Sequence, residues 1–398
     1  MKNALIVAGG TWQVPIITFF RNKGYTIYVV DPYVFSDGSK LADVHVQCDV
    51  RAVYDILQKV KGIKFDIVAS DQSDISVTNV AIIAEQLRLK GNSPESTQNF
   101  VNKFLMRTLA QRLKLPIPAF AKASKYEDVT EFIKTHSLPV IIKPADSQSS
   151  RGVFKIDDKN IGDMPKLFAE CLSFSNCGYS VVEGFVPGIE LTVEGFASGG
   201  KHRTLAISSK KHFRTAIASS LEYPPVNIPD SILAKVEQAN DTFVENTGLN
   251  FGITHAEYMV VPETGEVNLI EIACRGGGSL ISSNITNWVA GVNNYEMYYT
   301  CLTGGTVDVK SLPVRKRNAI LHFFEFGEGK VQSITGIDEV KAIKGVDFIK
   351  MFFKEGDTLS NASDDRSRQG MVIIFADSKT ELDNTLQQVC NTIKVKFA

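Results

Sequence analysis

Glu257 and Glu271 stand in the two arms of an expected hairpin, Ala256–Val261 and Val267–Ile272, which turns around Pro262–Gly265. Carboxylates on neighbouring strands that point the same way repel unless a cation lies between them. Mg2+, with Mn2+ as the alternative, suits such a pair. It is a hard ion that takes oxygen ligands and usually shares them with substrate phosphates. The run Arg275-Gly276-Gly277-Gly278-Ser279 follows at once. Its arginine offers a planar fork for a carboxylate or a phosphate, and its glycines let a ligand approach the backbone closely. His255, two residues before Glu257, shares that strand face and reads as a substrate contact. Cys274 has no histidine near it in sequence and reads as packing, not as a nucleophile.

A lysine at the end of a buried strand needs a charged partner, because desolvating it alone is costly. Lys143 ends the apolar run Leu138–Ile142, and Pro144 follows. Phosphate oxygens would satisfy it. The next stretch, from Ala145 to Gly152 with Ser147, Ser149 and Ser150 inside it, is small and polar. Its amides and hydroxyls are able to close over phosphates, although an ordinary surface loop has the same composition. Lys103 and Arg107, four apart, share one helix face. By themselves they read as a solvated basic face. In the stretch V-V-E-G-F-V-P-G-I-E-L-T-V-E-G, which begins at Val181 and holds Glu183, period-two alternation puts Glu190, Thr192 and Glu194 on one strand face. Carboxylates there suit ribose hydroxyls, and a polar outer face is the other reading. The turn Gly9-Gly10-Thr11 lacks the G-x-G-x-x-G spacing of a dinucleotide site. With Asp31 ending the second strand, it reads as a nucleotide-type fold that binds no nucleotide.

The elements that must position these groups fall into three stretches: 1–92, 93–309 and 310–398. The first alternates strands (Asn3–Ala8, Tyr25–Val30, Ile67–Ser70) with helices (12–23, 76–90), which implies a parallel α/β sheet. Ser93-Pro94-Glu95 starts a helix expected over 95–114, which ends before Pro116-Ile117-Pro118. Strands over Val140–Lys143, Ser180–Glu183 and Glu190–Gly195 follow, then the hairpin and a helix over 284–303. The last stretch has short strands at 318–326, 347–353 and 370–376 and a helix at 378–391, a small α+β cap.

Composition narrows the class. At 398 residues the chain exceeds one ordinary core, so two to four domains are expected. Lys plus Arg is 43 and Asp plus Glu is 44, and the net charge of -1 offers no bulk attraction to nucleic acid or to an anionic membrane. No apolar run approaches the roughly 20 residues of a membrane span, and the N-terminus lacks a signal-peptide layout. Cysteines at 48, 171, 177, 274, 301 and 390 form no C-x-x-C pair, which reads as reduced thiols in a cytoplasm. No H-x-x-x-H ligand spacing occurs among the histidines.

The order of the pieces is more specific than any one of them. N-K-F-L-M-R (102–107), V-I-I-K-P (140–144), V-V-E-G-F-V-P-G-I-E (181–190), H-A-E-Y (255–258) and L-I-E-I-A-C-R-G-G-G (269–278) together resemble the ATP-grasp superfamily. The resemblance spans roughly residues 1–305. It implies a pre-ATP-grasp α/β domain and a two-lobed ATP-grasp domain. The last stretch, with G-K-V-Q-S-I-T-G and D-R-S-R-Q-G-M-V-I-I, is similar to the cap of the L-amino-acid ligase branch. Lys103 and Lys143 would then contact the α- and β-phosphates of ATP. Ser147, Ser149, Ser150 and Gly152 would belong to the phosphate-covering loop. Glu183, Phe185 and Val186 would form the adenine hinge, and Glu190 would bind ribose. Glu257 and Glu271 would hold Mg2+, and Arg275, beside Gly276–Gly278, would orient the substrate carboxylate and steady an acyl phosphate. Two departures matter. Ala273 stands where the superfamily often has an asparagine ligand, which removes one donor from a second metal ion. Serines in the covering loop replace the glycine run of carboxylase-type members.

The resemblance implies a ligase that acts on small molecules, a homodimer by family analogy alone, while the thiols and the net charge point to the cytoplasm and away from nucleic acid and membrane. A carboxylate attacks the γ-phosphate of ATP, and an amine, expected to be an amino acid, then attacks the acyl phosphate. The loop 145–152 would be the lid, and 208–226 would close the substrate side. The alternatives are a bicarbonate-using carboxylase or carbamoylating enzyme and a degenerate nucleotide-binding regulator.

Overall fold

Apolar runs separated by glycine and aspartate turns build the first layer. Strands β1 (Lys2–Val7), β2 (Tyr25–Asp31), β3 (Val44–Gln47) and β4 (Ile67–Ala69) form a parallel sheet in the order β3-β2-β1-β4. Ala4 to Val7 are fully buried, as a strand covered on both faces requires. The computed structural model describes residues 2–148, 150–215, 217–362 and 367–398. Asp31, which ends β2, accepts from the N–H groups of Gly9 and Tyr33. Its carboxylate braces the glycine turn.

The single helix expected over 95–114 is two, Pro94–Val101 and Lys103–Arg112. Asn102 breaks it. Its backbone is extended (φ -112°, ψ 110°), and its side chain accepts from the N–H groups of Phe104 and Leu105. A capping carboxamide satisfies first-turn donors that a continuous helix would have bonded internally. The second helix therefore begins at Lys103.

A small antiparallel sheet follows: β5 (Phe120–Ala123), β6 (Val140–Pro144), β7 (Phe154–Ile156) and β8 (Ser180–Gly184), in the order β5-β8-β6-β7. Helices Tyr126–His136 and Met164–Ser173 cover it through Val129, Phe132 and Phe168.

The remaining long strands are β9 (Ile189–Ser198), β10 (Lys201–His212), β11 (Ala218–Tyr223), β12 (Phe251–Val261), β13 (Glu266–Ala273) and β14 (Asn318–Phe323). The last part of the chain adds β15 (Gly329–Thr335), β16 (Val346–Met351), β17 (Thr358–Leu359), β18 (Gly370–Ala376) and β19 (Lys394–Phe397). Eight of these make one sheet, β13-β12-β9-β10-β11-β14-β18-β16. The expected hairpin is β12–β13. The cap strands β14, β18 and β16 continue the central sheet through the β11–β14 pairing, while β17-β15-β19 form a separate small sheet. Helix Asp230–Glu245 buries Ile232, Val236 and Phe243 against the large sheet, and Lys379–Thr392 covers β18. The stretch 208–226, expected as a closing segment, includes the end of β10 and all of β11, inside that sheet.

The helix expected over 284–303 is also interrupted. A single π turn, Ile281–Ile285, leads into Thr286–Ala290. Gly291 at φ +70° ends that piece, and Asn293 caps Asn294–Leu302. Among the described residues no helix is long and apolar enough to cross a membrane. All six cysteines are free.

Candidate active site

Lys143, at the end of β6, places its Nζ 2.8 Å from Oε2 of Glu183 on the neighbouring strand β8. Arg107 reaches the same carboxylate, with Nε 2.8 Å from Oε1 and Nη2 3.2 Å from Oε2, and Nη2 also donates to the Ile270 carbonyl at 2.7 Å. Lys103 donates to the Ser147 carbonyl at 2.6 Å and lies 3.0 Å from Oε1 of Glu271. The expectation of a solvated basic face is thus corrected. Arg107 is 0% exposed and Lys103 is 5% exposed. The reason is tertiary: carboxylates from distant strands reach this helix face. Burial alone would raise the Glu183 carboxyl, but Arg107 and Lys143 outweigh it and hold it below its ordinary value. Burial pushes the Lys143 ammonium down, with Glu183 opposing and the cations of Arg107 and Lys103 adding to the fall. Three buried cations here face Glu183 and Glu271, so the site is short of anion.

Lys103, Lys143, Glu183 and Glu271 line a cavity of about 350 Å³, with Arg107 buried behind them. Its roof is the turn after β6, where Ser147 is buried and Ser150 is exposed at φ +57°. Gly152 sits at φ +70° against Phe174. Ser149, assigned to the same loop, lies outside the described residues. At the far end, Phe185 and Val186 follow β8. Phe185 N–H donates to the Pro139 carbonyl, and Lys155 Nζ lies 4.1 Å from the Phe185 ring centroid. The Val186 amide has no hydrogen-bond partner among the described residues. The Glu183 side chain does not serve this end, because both its oxygens hold cations.

Glu257 and Glu271 face each other in the β12–β13 ladder, just before a register shift. Each has its own lysine. Lys210 on β10 is 2.7 Å from Oε1 of Glu257 and also pairs with Glu190, whose Oε2 is 2.8 Å from His212 Nε2. Burial would raise the Glu190 carboxyl, but Lys210 and His212 outweigh it and lower it to about 2. Lys210 and His212 fall in the stretch 208–226, which the sequence assigns to closing the substrate side and not to a carboxylate cluster. The one local signal was their alternation with Ser208 along a strand, and the strand itself was not recognised. The side chains of Glu257 and Glu271 are 28% and 35% exposed, and both open on the cavity. Two accessible carboxylates fit a hard cation completed by phosphate oxygens and water. Among the described residues no cluster of three or more His, Cys, Asp or Glu could hold a metal without such help. Ala273 contributes no donor.

A second cavity, of about 620 Å³, lies on the other side of the same carboxylates. Arg275, His255 and Gly278 line it, together with Trp12 from the N-terminal unit and Lys350 and Phe352 from the cap. The fork of Arg275 is already engaged. Its Nε and Nη2 lie 2.7 and 2.8 Å from the two carboxylate oxygens of Asp74. Burial would raise Asp74, but Arg275 outweighs it and holds the carboxyl below its ordinary value. His255 Nδ1 is 2.5 Å from Oε1 of Glu194, which is fully buried.

The glycine run serves packing more than ligand approach. A Cβ on Gly276 would sit 2.1 Å from that of Ser282, and one on Gly277 would sit 2.9 Å from His255 Nδ1. Only Gly278 meets open space. Beyond it, Ser279 and Leu280 are left-handed at φ +54° and +64°, a strain of about 1–3 kcal/mol each. Burial pushes the Cys274 thiol up to about 12, which suits packing.

Residues 136–284 match the ATP-grasp domain family, and residues 322–398 match L-amino acid ligase C-terminal domain 2. The chain is 25% identical over 230 residues to a phosphoribosylamine–glycine ligase of Leptospira interrogans, covering 54% of each protein. It is 27% identical over 252 residues to a formate-dependent phosphoribosylglycinamide formyltransferase of Francisella tularensis, covering 62% of this chain and 61% of that protein. It thus spans between half and two thirds of these two relatives. The solved L-amino acid ligase from Bacillus licheniformis has the same fold, with a TM-score of 0.82 at 19% identity over 100% of this chain and 99% of that one.

Proposed function

We propose, from the match of residues 136–284 to the ATP-grasp domain family and of 322–398 to an L-amino acid ligase domain, that the chain is an ATP-dependent carboxylate–amine ligase whose substrates are amino acids. One observation carries the reading. The two cavities meet at Glu257 and Glu271, which line both. Buried cations that outnumber their carboxylate partners stand on one side, and a guanidinium and an imidazole stand on the other.

In this reading ATP lies in the smaller cavity. Its adenine rests at the hinge backbone of Phe185 and Val186. A ribose hydroxyl shares Glu190 with Lys210 and His212, and the phosphates meet Lys103 and Lys143. Ser147, Ser150 and Gly152 close the loop over the phosphates. Glu257 and Glu271 are the residues that would hold Mg2+, which supplies charge neutralisation at the β- and γ-phosphates when bound. A carboxylate oxygen forms a bond to the γ-phosphorus as the bridging bond to ADP breaks. The amine nitrogen then bonds to the acyl carbon, the acyl C–O bond breaks, and phosphate leaves with loss of an amine proton. The protein's part is orientation and charge, with Arg275 facing the acyl group. No protein nucleophile is required. The match of residues 322–398 to an L-amino acid ligase domain favours amino acids over bicarbonate.

Product analysis tests this. The chain is incubated with ATP, Mg2+ and a panel of the proteinogenic L-amino acids, with and without hydroxylamine. The expected result is ADP and phosphate, with a hydroxamate when hydroxylamine is present. AMP and pyrophosphate would refute the acyl-phosphate route. ATP turnover that depends on bicarbonate and not on amino acids would turn the assignment to the carboxylase class.

A further inference from the structure

An arginine carries five N–H donors in a rigid plane. In Arg275 three are occupied: Nε and one on Nη2 by Asp74, and one on Nη1 by the Gly276 carbonyl at 3.0 Å. Among the described residues two have no partner, one on each terminal nitrogen, in a side chain that lines the larger cavity. Asp74 comes from the turn after β4, 201 residues earlier in the chain. That same turn also holds the loop beyond Arg275. Asp71 accepts from Gly276 N–H at 2.9 Å, Ser282 Oγ at 2.5 Å and Tyr295 Oη at 2.9 Å. Gln72 accepts from Leu280 N–H at 3.1 Å. One turn of the N-terminal unit therefore sets both the arginine and the glycine loop beside it.

We propose that Asp74 is a positioning residue, which fixes Arg275 so that its two remaining N–H groups face the reacting acyl group. The inference rests on the ligase reading above. The charge balance gives it a distinctive signature. The Asp74 carboxylate cancels much of the arginine's charge, so the pair attracts an anionic substrate weakly but presents its donors in a fixed plane. Asp74→Asn removes the negative charge and one of the two acceptors. The guanidinium then attracts the carboxylate more strongly and is held in its plane by one acceptor fewer. Ground-state binding improves or holds while the transition state loses its aligned donors.

The experiment uses the full chain and the single L-amino acid that supports the fastest ADP release. In Asp74→Asn the expected result is kcat lower by about tenfold or more, the scale of a misplaced catalytic group. KM for the amino acid should be unchanged or lower, and the Kd for ATP unchanged. In an Arg275→Lys background the same substitution should change kcat by less than about twofold, because lysine has no fork for Asp74 to hold. Asp74→Glu keeps the charge but moves the carboxylate by one methylene. It should lower kcat at an unaltered KM, and it reads out the proposal even if the asparagine variant folds poorly. Wild-type kcat in Asp74→Glu, a raised KM for both substrates in Asp74→Asn, or an equal loss in the Arg275→Lys background would each overturn the positioning role. A wild-type chain that makes no ADP and no hydroxamate would overturn the ligase reading itself.

Discussion

Lys143 shares its one carboxylate, Glu183, with Arg107, and burial of the site lowers the ammonium's own pKa. A buried cation with half a partner is a group that gains from a bound anion. The Lys143→Met variant removes that cation yet leaves Glu183 held by both donors of Arg107, so the fold should survive. ATP affinity should fall by about 1.5–3 kcal/mol, the scale of a hydrogen bond to a charged group. Calorimetry on the folded variant checks this, and an unchanged affinity would remove Lys143 from the nucleotide site. The sequence marked Lys143 because a charge ends an apolar run. It could not mark Glu183 as the partner, since the pairing runs across strands.

At the scale of elements, the break at Asn102 decides where Lys103 stands. Asn102 caps the amides of Phe104 and Leu105 and donates Nδ2 to Tyr179 Oη at 2.8 Å. Lys103 N–H, next in line, donates to the Ala145 carbonyl at 2.8 Å and ties the helix start to the turn after β6. Substituting an N-cap by alanine costs about 0.5–2 kcal/mol. Asn102→Ala should therefore lose stability on that scale in urea denaturation, and ATP affinity should fall with it. Asn102→Asp keeps the acceptor and should retain most of the stability. Equal losses in both variants would show that the cap is not what matters. The start at Ser93-Pro94-Glu95 and the stop at Pro116-Ile117-Pro118 bound one helix in sequence, and the capping side chain of Asn102 divides it in two.

At the scale of the molecule, the cap is tied to the core by a shared sheet. β14 pairs with β11 over Ala319–His322, and Leu321, Phe323 and Ile373 pack with Leu221, Tyr223, Ile281 and Ile285. A chain ending at Arg317 would uncover that face and leave β11 as an open edge. Burial of each such side chain contributes about 1.5–3 kcal/mol, and losing several exceeds the usual margin of about 5–15 kcal/mol. The truncated chain should aggregate or lose cooperative unfolding, as gel filtration and thermal denaturation would register. A soluble monomer with full-length ATP affinity would contradict this account.

The sequence by itself determined the alternating α/β start, the β12–β13 hairpin with its opposed glutamates, the lysine at the end of β6 and the glycine run after Arg275. Each follows from local periodicity or from one residue's solvation. Only the tertiary structure decided which charges meet. Lys210 reaches Glu257 from 47 residues away, Arg107 reaches Glu183 from 76, and Asp74 reaches Arg275 from 201. The expected metal pair turned out to hold a lysine each, and the arginine fork turned out to hold an aspartate. Periodicity reports which face of an element a charge occupies. The packing of elements decides which opposite charge is brought within reach of it.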